Sequence, residues 1–240
     1  MLVPRSRLIR FVVIFTGRVG STYFISALDS HPDIAAEGER LADIRRDGPD
    51  AQLAWTRRFL RGAPLGRRRA VGFKTKTRDV LDTQGFAAVL KANDARVVTM
   101  LRRNDVKTAV SRLTGLELKR RTGSWNRSDD VAQGSPITVD PELLDTHLDR
   151  LVEEKKQVRD YVRELGLRTL QIEYEDLLTR PDAVFEEALE FLGVPPAPLA
   201  TSTAKNTSDD LREAIANFHE VRARYAGTPY EPMFDEVLVP

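Results

Sequence analysis

Residues 11–23, Phe-Val-Val-Ile-Phe-Thr-Gly-Arg-Val-Gly-Ser-Thr-Tyr, constrain the fold more than any other segment of the chain. An apolar, β-branched run is followed at once by a loop with two glycines, a basic residue and two hydroxyls. A helix-compatible segment, residues 23–28, comes next. Strand, glycine-rich loop and helix N-terminus, in that order, make an anion site in α/β proteins. The glycines let backbone N–H groups approach the ligand, and the helix start adds positive potential. The layout is that of a Walker A loop without its lysine. The nucleotide-triphosphatase form needs Lys directly before the final Ser/Thr, and here Gly20 precedes Ser21. The expected ligand is therefore phosphate-like and held without the usual ATP lysine. On the same ground a P-loop-type kinase or hydrolase is disfavoured.

The rest of the chain alternates strand and helix signals. Strands are expected at residues 7–15, 70–73, 96–101 and 167–172. Helices are expected at 23–30, 51–61, 86–93, 105–120, 142–164, 182–192 and 209–225. Residues 33–46 are mixed and charged. Residues 121–141, rich in Gly, Ser, Asp and Asn, read as a mobile loop or lid within a single domain spanning 1–240. Such alternation implies an α/β, three-layer architecture: a mostly parallel sheet with helices on both faces. Ligands bind such sheets beyond the carboxyl ends of the strands. Three strand ends carry polar, mostly basic groups: Thr16-Gly17-Arg18, Lys74-Thr75-Lys76 and Arg102-Arg103.

Charge and composition narrow the function. The 37 basic and 36 acidic residues leave a net charge of +1, so any anion site is local and no nucleic-acid partner is expected. With no cysteine there is no disulfide, thiolate metal site or Cys nucleophile, which suits a reducing, cytoplasmic setting. Three histidines without HExxH spacing give no zinc signature. The apolar run at 11–15 is far short of the roughly 20 residues that span a bilayer, so no integral membrane segment is expected.

Four pieces match one family. They are Thr16-Gly-Arg-Val-Gly-Ser-Thr22; Arg103-Asn-Asp105 with Ser111 eight residues on; Tyr174-Glu-Asp-Leu177; and Lys205-Asn206, followed by a helix and Gly227-Thr-Pro-Tyr230. Together they resemble the PAPS-dependent sulfotransferases, whose fold is P-loop-like and whose donor is 3′-phosphoadenosine 5′-phosphosulfate. Glu37-Gly38-Glu39 and the C-terminal pattern bring the chain closer to the bacterial carbohydrate and glycolipid branch than to the animal cytosolic branch. The resemblance implies PAPS as donor, PAP as product and no metal requirement. It assigns the phosphosulfate to Thr16, Gly17, Arg18, Val19, Gly20, Ser21 and Thr22, and the ribose phosphate to Arg103 and Ser111. A spacing of eight would let those two converge on one anion, and Arg suits an oxyanion through its planar fork. Tyr174 resembles the adenine-contacting tyrosine, and Lys205 would close the nucleotide.

Arg18 and Lys74 are the candidates to stabilise charge on the leaving nucleotide. The acceptor proton needs a base. In related bacterial and carbohydrate enzymes a glutamate after the first helix serves, and here Glu37 and Glu39 both lie there. Glu39 is favoured, with His31 a third option. The animal cytosolic branch uses a His in Lys-Thr-His; this chain has Lys74-Thr75-Lys76, so that base is absent. The acceptor is expected to be a carbohydrate, glycolipid or small-molecule hydroxyl, and the sequence leaves its identity and the oligomeric state open. A non-catalytic nucleotide-binding relative remains the alternative from another class.

Overall fold

The computed structural model describes residues 8–62, 68–122, 136–200 and 208–238. Five parallel strands form one sheet in the order β2-β3-β1-β4-β5. They are β1 (Ile9–Phe15), β2 (Ile34–Glu37), β3 (Ala70–Thr75), β4 (Arg96–Leu101) and β5 (Thr169–Glu173). Helices α1 (Ser21–Asp29), α2 (Arg40–Asp43), α3 (Pro49–Leu60), α4 (Thr83–Ala92), α5 (Asp105–Thr122) and α6 (Pro141–Leu165) precede β5. After it come α7 (Tyr174–Thr179), α8 (Pro181–Leu192), α9 (Leu211–Ala214), α10 (Phe218–Arg224) and α11 (Glu231–Asp235). Among the described residues no helix is long and apolar enough to cross a membrane.

β1 is central because its apolar run is continuous, and Phe11 to Phe15 are at most 2% exposed. Side chains alternate across a strand. Phe11, Val13 and Phe15 pack with α1 and α8, while Val12 and Ile14 pack with α3, α4 and α6. A third cluster joins Val106, Val110 and Leu113 of α5 to Leu144, Leu148 and Leu151 of α6 and to Phe218, Val221 and Phe234. At the β1–β3 seam Phe11 lies opposite Gly72, and a Cβ there would sit 2.4 Å from the Phe11 ring. Gly72→Ala is therefore expected to cost about 3 kcal/mol through overpacking, read as a lower midpoint in urea unfolding.

Three expectations are corrected. Residues 34–37, within the stretch read as mixed, form the edge strand β2. Its Ile-Ala-Ala-Glu sequence carries little strand signal, and parallel pairing with β3 from Ile34↔Ala70 to Glu37↔Phe73 makes it a strand. The strand expected at 167–172 runs from Thr169 to Glu173 and is followed directly by the short helix α7. The single final helix expected over 209–225 is broken: Ile215 is extended and bridges Ile137. There Ile137 N–H donates to the Ala214 carbonyl at 3.0 Å, and Ala216 N–H to the Ile137 carbonyl at 2.9 Å. The Asn217 side chain completes the break by bonding both the N–H and C=O of Val139. Most of the expected lid, residues 123–135, lies outside the described residues.

Because all five strands are parallel, their carboxyl ends share one edge of the sheet. That edge carries Thr16, Glu37, Lys76, Arg102 and Tyr174, each at or just past a strand terminus.

Candidate active site

The loop after β1 is shaped for an anion. Arg18 and Gly20 both have left-handed backbone, φ 69° and 70°. A non-glycine there is uncommon, and such conformations concentrate at functional sites. Gly20 is required by conformation and by space: a Cβ would lie 3.1 Å from Cδ2 of Tyr174. Val19 is fully buried and pins the loop to the core. The loop delivers the N-terminus of α1, whose first turn carries no acidic residue. Lys74, buried on β3, donates to Thr22 Oγ1 at 2.7 Å and to Ser21 Oγ at 3.4 Å. Among the described residues, the buried Thr16 Oγ1 has no hydrogen-bond partner. Arg112 lies 3.8 Å from where a Gly17 Cβ would stand, and its guanidinium is paired to Glu154 at 2.5 Å.

Beside this loop stands one carboxylate held by two lysines. Glu39, between β2 and α2, has Oε1 3.3 Å from Lys74 Nζ and Oε2 in an ion pair with Lys76 Nζ. The Phe15 ring underlies both lysines, with centroid distances of 5.2 and 4.9 Å. Burial by itself would raise the Glu39 pKa. The hydrogen bond and charge of Lys76, then Lys74, outweigh it and leave the carboxyl below its ordinary value. Burial lowers the pKa of Lys74, opposed by Glu39.

The other candidate bases lie differently. Glu37 ends β2 with an exposed side chain. His31 is fully buried at the amino end of β2, the edge of the sheet opposite the loop. Its Nδ1 accepts from Asp33 N–H at 3.0 Å, so Nε2 carries the proton and donates to the Pro195 carbonyl at 2.9 Å. His31 ties chain segments together and is removed from the candidate bases.

The nucleotide side also departs from expectation. Ser111, two turns into α5, is buried, and its Oγ accepts from Arg18 Nε at 3.0 Å. The structure thus joins the loop to Ser111, but Arg103 does not converge with it. Arg103 reaches Asp176 at 3.3 and 3.4 Å, with Nε 3.8 Å from Glu175. The reason is alternation at the end of β4. Met100 packs with α1 and α8, and Leu101 with α6. Arg102 then turns to the Tyr174 ring and Arg103 to Asp176, while both line a cavity with Val152, Lys155 and Arg159 of α6.

Arg102 was read from the sequence only as part of a basic strand end, with no site role, although strand parity could have separated it from Arg103. Its guanidinium lies 4.3 Å over the Tyr174 ring. The Tyr174 hydroxyl pKa is raised, mainly by burial. Glu175 was missed as well. Its carboxylate, 1% exposed, accepts the backbone N–H groups of Arg103 and Asn104 at 3.1 Å each, fixing the entry to α5. Asn104 Oδ1 accepts from Lys107 N–H at 2.8 Å and caps the helix. Lys205 lies outside the described residues.

A parallel sheet, a glycine loop feeding a helix N-terminus, and cations gathered around one carboxylate make an α/β site of the P-loop-like fold. The chain is similar in sequence to bacterial proteins. Nodulation protein H of Rhizobium tropici is 27% identical over 236 residues, covering 94% of this chain and 92% of that protein. Nodulation protein H of Rhizobium meliloti (strain 1021) is 26% identical over 239 residues, covering 94% of each. No family model matches the chain. Among solved structures, the sulfotransferase from Alicyclobacillus acidocaldarius shares the fold with TM-score 0.50 and 20% identity, over 97% of this chain and 98% of that one.

Proposed function

We propose that the chain transfers the sulfuryl group of PAPS to a hydroxyl of a carbohydrate or glycolipid acceptor, with Glu39 as general base. The observation that carries this is the Glu39 carboxylate, held ionised by Lys76 and then Lys74, the second of which also bonds the first turn of α1 through Thr22. One cation therefore touches both the proposed base and the proposed phosphosulfate cradle. Orphaned Thr16 Oγ1 and the amides of the left-handed loop suit an anion at that place.

The chemistry follows from the placement. Glu39 takes the acceptor O–H proton as that oxygen attacks sulfur. The bond from sulfur to the bridging oxygen of the 5′-phosphate breaks in line, and PAP leaves. Lys74 and Arg18 stabilise the negative charge that grows on the leaving phosphate, a contribution that matters most in a partly dry site. Tyr174 closes the β5 side of the loop through its contact with Gly20. The carbohydrate class of acceptor rests on the Glu37-Gly38-Glu39 resemblance.

Adding PAP at about a hundredfold above its Kd is expected to raise the unfolding midpoint by about 5 °C or more, since such binding is worth about 2.7 kcal/mol. ATP with Mg²⁺ is expected to give a far smaller shift. A larger response to ATP with Mg²⁺ would overturn the reading.

A further inference from the structure

We propose that Glu154 of α6, bonded by Arg112 and Arg78, is the acceptor subsite: a clamp that hydrogen-bonds a ring diol of the sugar and fixes which hydroxyl faces Glu39. The inference rests on the carbohydrate reading above and names the residues that recognise such an acceptor.

Glu154 Oε2 accepts from Arg112 Nη2 at 2.5 Å. Its Oε1 accepts from Arg112 Nη1 at 3.3 Å and from Arg78 Nη1 at 3.1 Å. The Arg112 and Glu154 side chains are 13% and 24% exposed, so the pair is largely out of water. The three residues come from three segments: Arg112 from α5, one position after Ser111, Glu154 from α6, and Arg78 from the short turn Thr77–Asp79 after β3. Arg112 Nε lies 3.8 Å from where a Cβ on Gly17 of the cradle loop would stand. Burial first, then Arg102 and then the charge of Arg112 hold the Arg18 pKa below its ordinary value, which sets Arg112 beside the cradle. Arg78 follows Lys76, the partner of Glu39, by two residues, a span of at most about 7 Å of chain. Its carbonyl accepts from Arg45 Nη1 at 2.6 Å, which fixes the turn. Glu154 is thus tied to the proposed phosphosulfate cradle through Arg112 and to the neighbourhood of the proposed base through Arg78.

In-line transfer brings the acceptor oxygen to sulfur from the side opposite the leaving nucleotide. With the nucleotide toward Tyr174 after β5, the acceptor enters from the β3 side, where Glu39, the turn at 77–79 and Glu154 lie. A carboxylate offers about four acceptor positions. Arg112 and Arg78 take three of those on Glu154, which leaves one for a hydroxyl. An arginine–carboxylate pair sets donors and an acceptor side by side, and neighbouring hydroxyls of a sugar ring, each able to donate and accept, match that array. The fold does not depend on the pair. α5 and α6 are already joined by Val110, Leu113, Leu144 and Leu148 and by the Lys155–Asp105 ion pair. A buried ion pair is also weak evidence for a stabilising role. Arg78 is 57% exposed along its side chain, where an ion pair contributes little to stability.

The test measures transfer from PAPS to methyl glycosides of glucose, galactose, mannose and N-acetylglucosamine, then to the single-deoxy analogues of the best of them. PAP affinity and the unfolding midpoint are measured alongside. In the wild-type protein, kcat/KM is expected to fall about 10-fold or more for a deoxy analogue that lacks a hydroxyl next to the sulfated one, from the loss of a hydrogen bond to a charged group. Glu154→Gln should raise the sugar KM about 10-fold or more and hold the Kd of PAP within about threefold. It should treat that analogue and its parent within about threefold of each other, and spread sulfate over more than one ring hydroxyl, as read by NMR. Arg78→Gln, a change at an exposed side chain, should shift the same readouts in the same direction and keeps the test open should Glu154→Gln fail to fold. A purely structural pair would lower the midpoint or PAP affinity and leave the deoxy discrimination and the sulfated position unchanged. That result in the variants that fold overturns the inference while the sulfuryl-transfer reading stands. Wild-type protein that binds PAP and sulfates none of the glycosides would overturn the carbohydrate reading and this inference with it.

Discussion

Glu39→Gln is expected to lower kcat for sulfuryl transfer by about 10³, with PAP affinity held within about threefold, because general-base contributions run to about 10²–10⁴. Gln keeps the shape and one oxygen but cannot take a proton. The carboxylate stands where Lys74 links it to Thr22, and its ion pairs are with Lys74 and Lys76 on the β3 side. Binding and turnover should therefore separate in this variant. Its pH dependence has a defined sign. Two lysines hold Glu39 below its ordinary value against the effect of burial. A depressed carboxylate is ionised, and its ion pairs are present, above that lowered value; both are lost only as pH falls through it. The acid limb of kcat/KM is thus expected below the usual glutamate range, and activity is flat from there to neutrality. Single-turnover transfer from PAPS to an acceptor sugar, followed across pH, measures both effects. Wild-type turnover in Glu39→Gln would move the proton to Glu37.

Lys74→Met is expected to lower kcat by about 10²–10³, the scale of removing one preorganised charge at a developing anion. Lys74 is 5% exposed along its side chain and stands on a strand, so its position is set by the sheet and not by its own flexibility. The loss should fall on kcat more than on PAP affinity, because charge on the leaving phosphate is larger in the transition state than in the bound donor. The same substitution removes one of the two cations on Glu39, so the acid limb should also move upward. A Lys74→Met protein with unchanged kcat and only weaker donor binding would reduce Lys74 to a ligand anchor.

Much of the frame could be read locally. The run from Phe11 to Tyr23 specifies strand, loop and helix from adjacent residues, and the structure forms them as β1, the left-handed loop and α1. Strands at 96–101 and the long helix ending at Gly166 follow from apolar patterning and a left-handed C-cap. β2 was not legible, because Ile-Ala-Ala-Glu becomes a strand only against β3. Nor was the break at Ile215, which depends on Ile137 far along the chain. Within the site, the grouping of Glu39 with Lys74 and Lys76 unites residues more than thirty positions apart.

The sequence by itself pointed to the kind of ligand: a loop of glycines and a basic residue between strand and helix suits an anion, and the missing Lys before Ser21 argued against the triphosphatase form. The tertiary structure decided which charges meet. Arg102 and Arg103 are chemically identical neighbours, and the pleat of β4 sends one to the Tyr174 ring and the other toward Asp176. Glu37 and Glu39 are equally acidic in sequence, and only the packing of β2 against β3 puts Glu39 between two lysines. Local patterning fixes element type because it acts between neighbours; the pairing of charges is fixed by sheet order and strand parity, which no short stretch of chain contains.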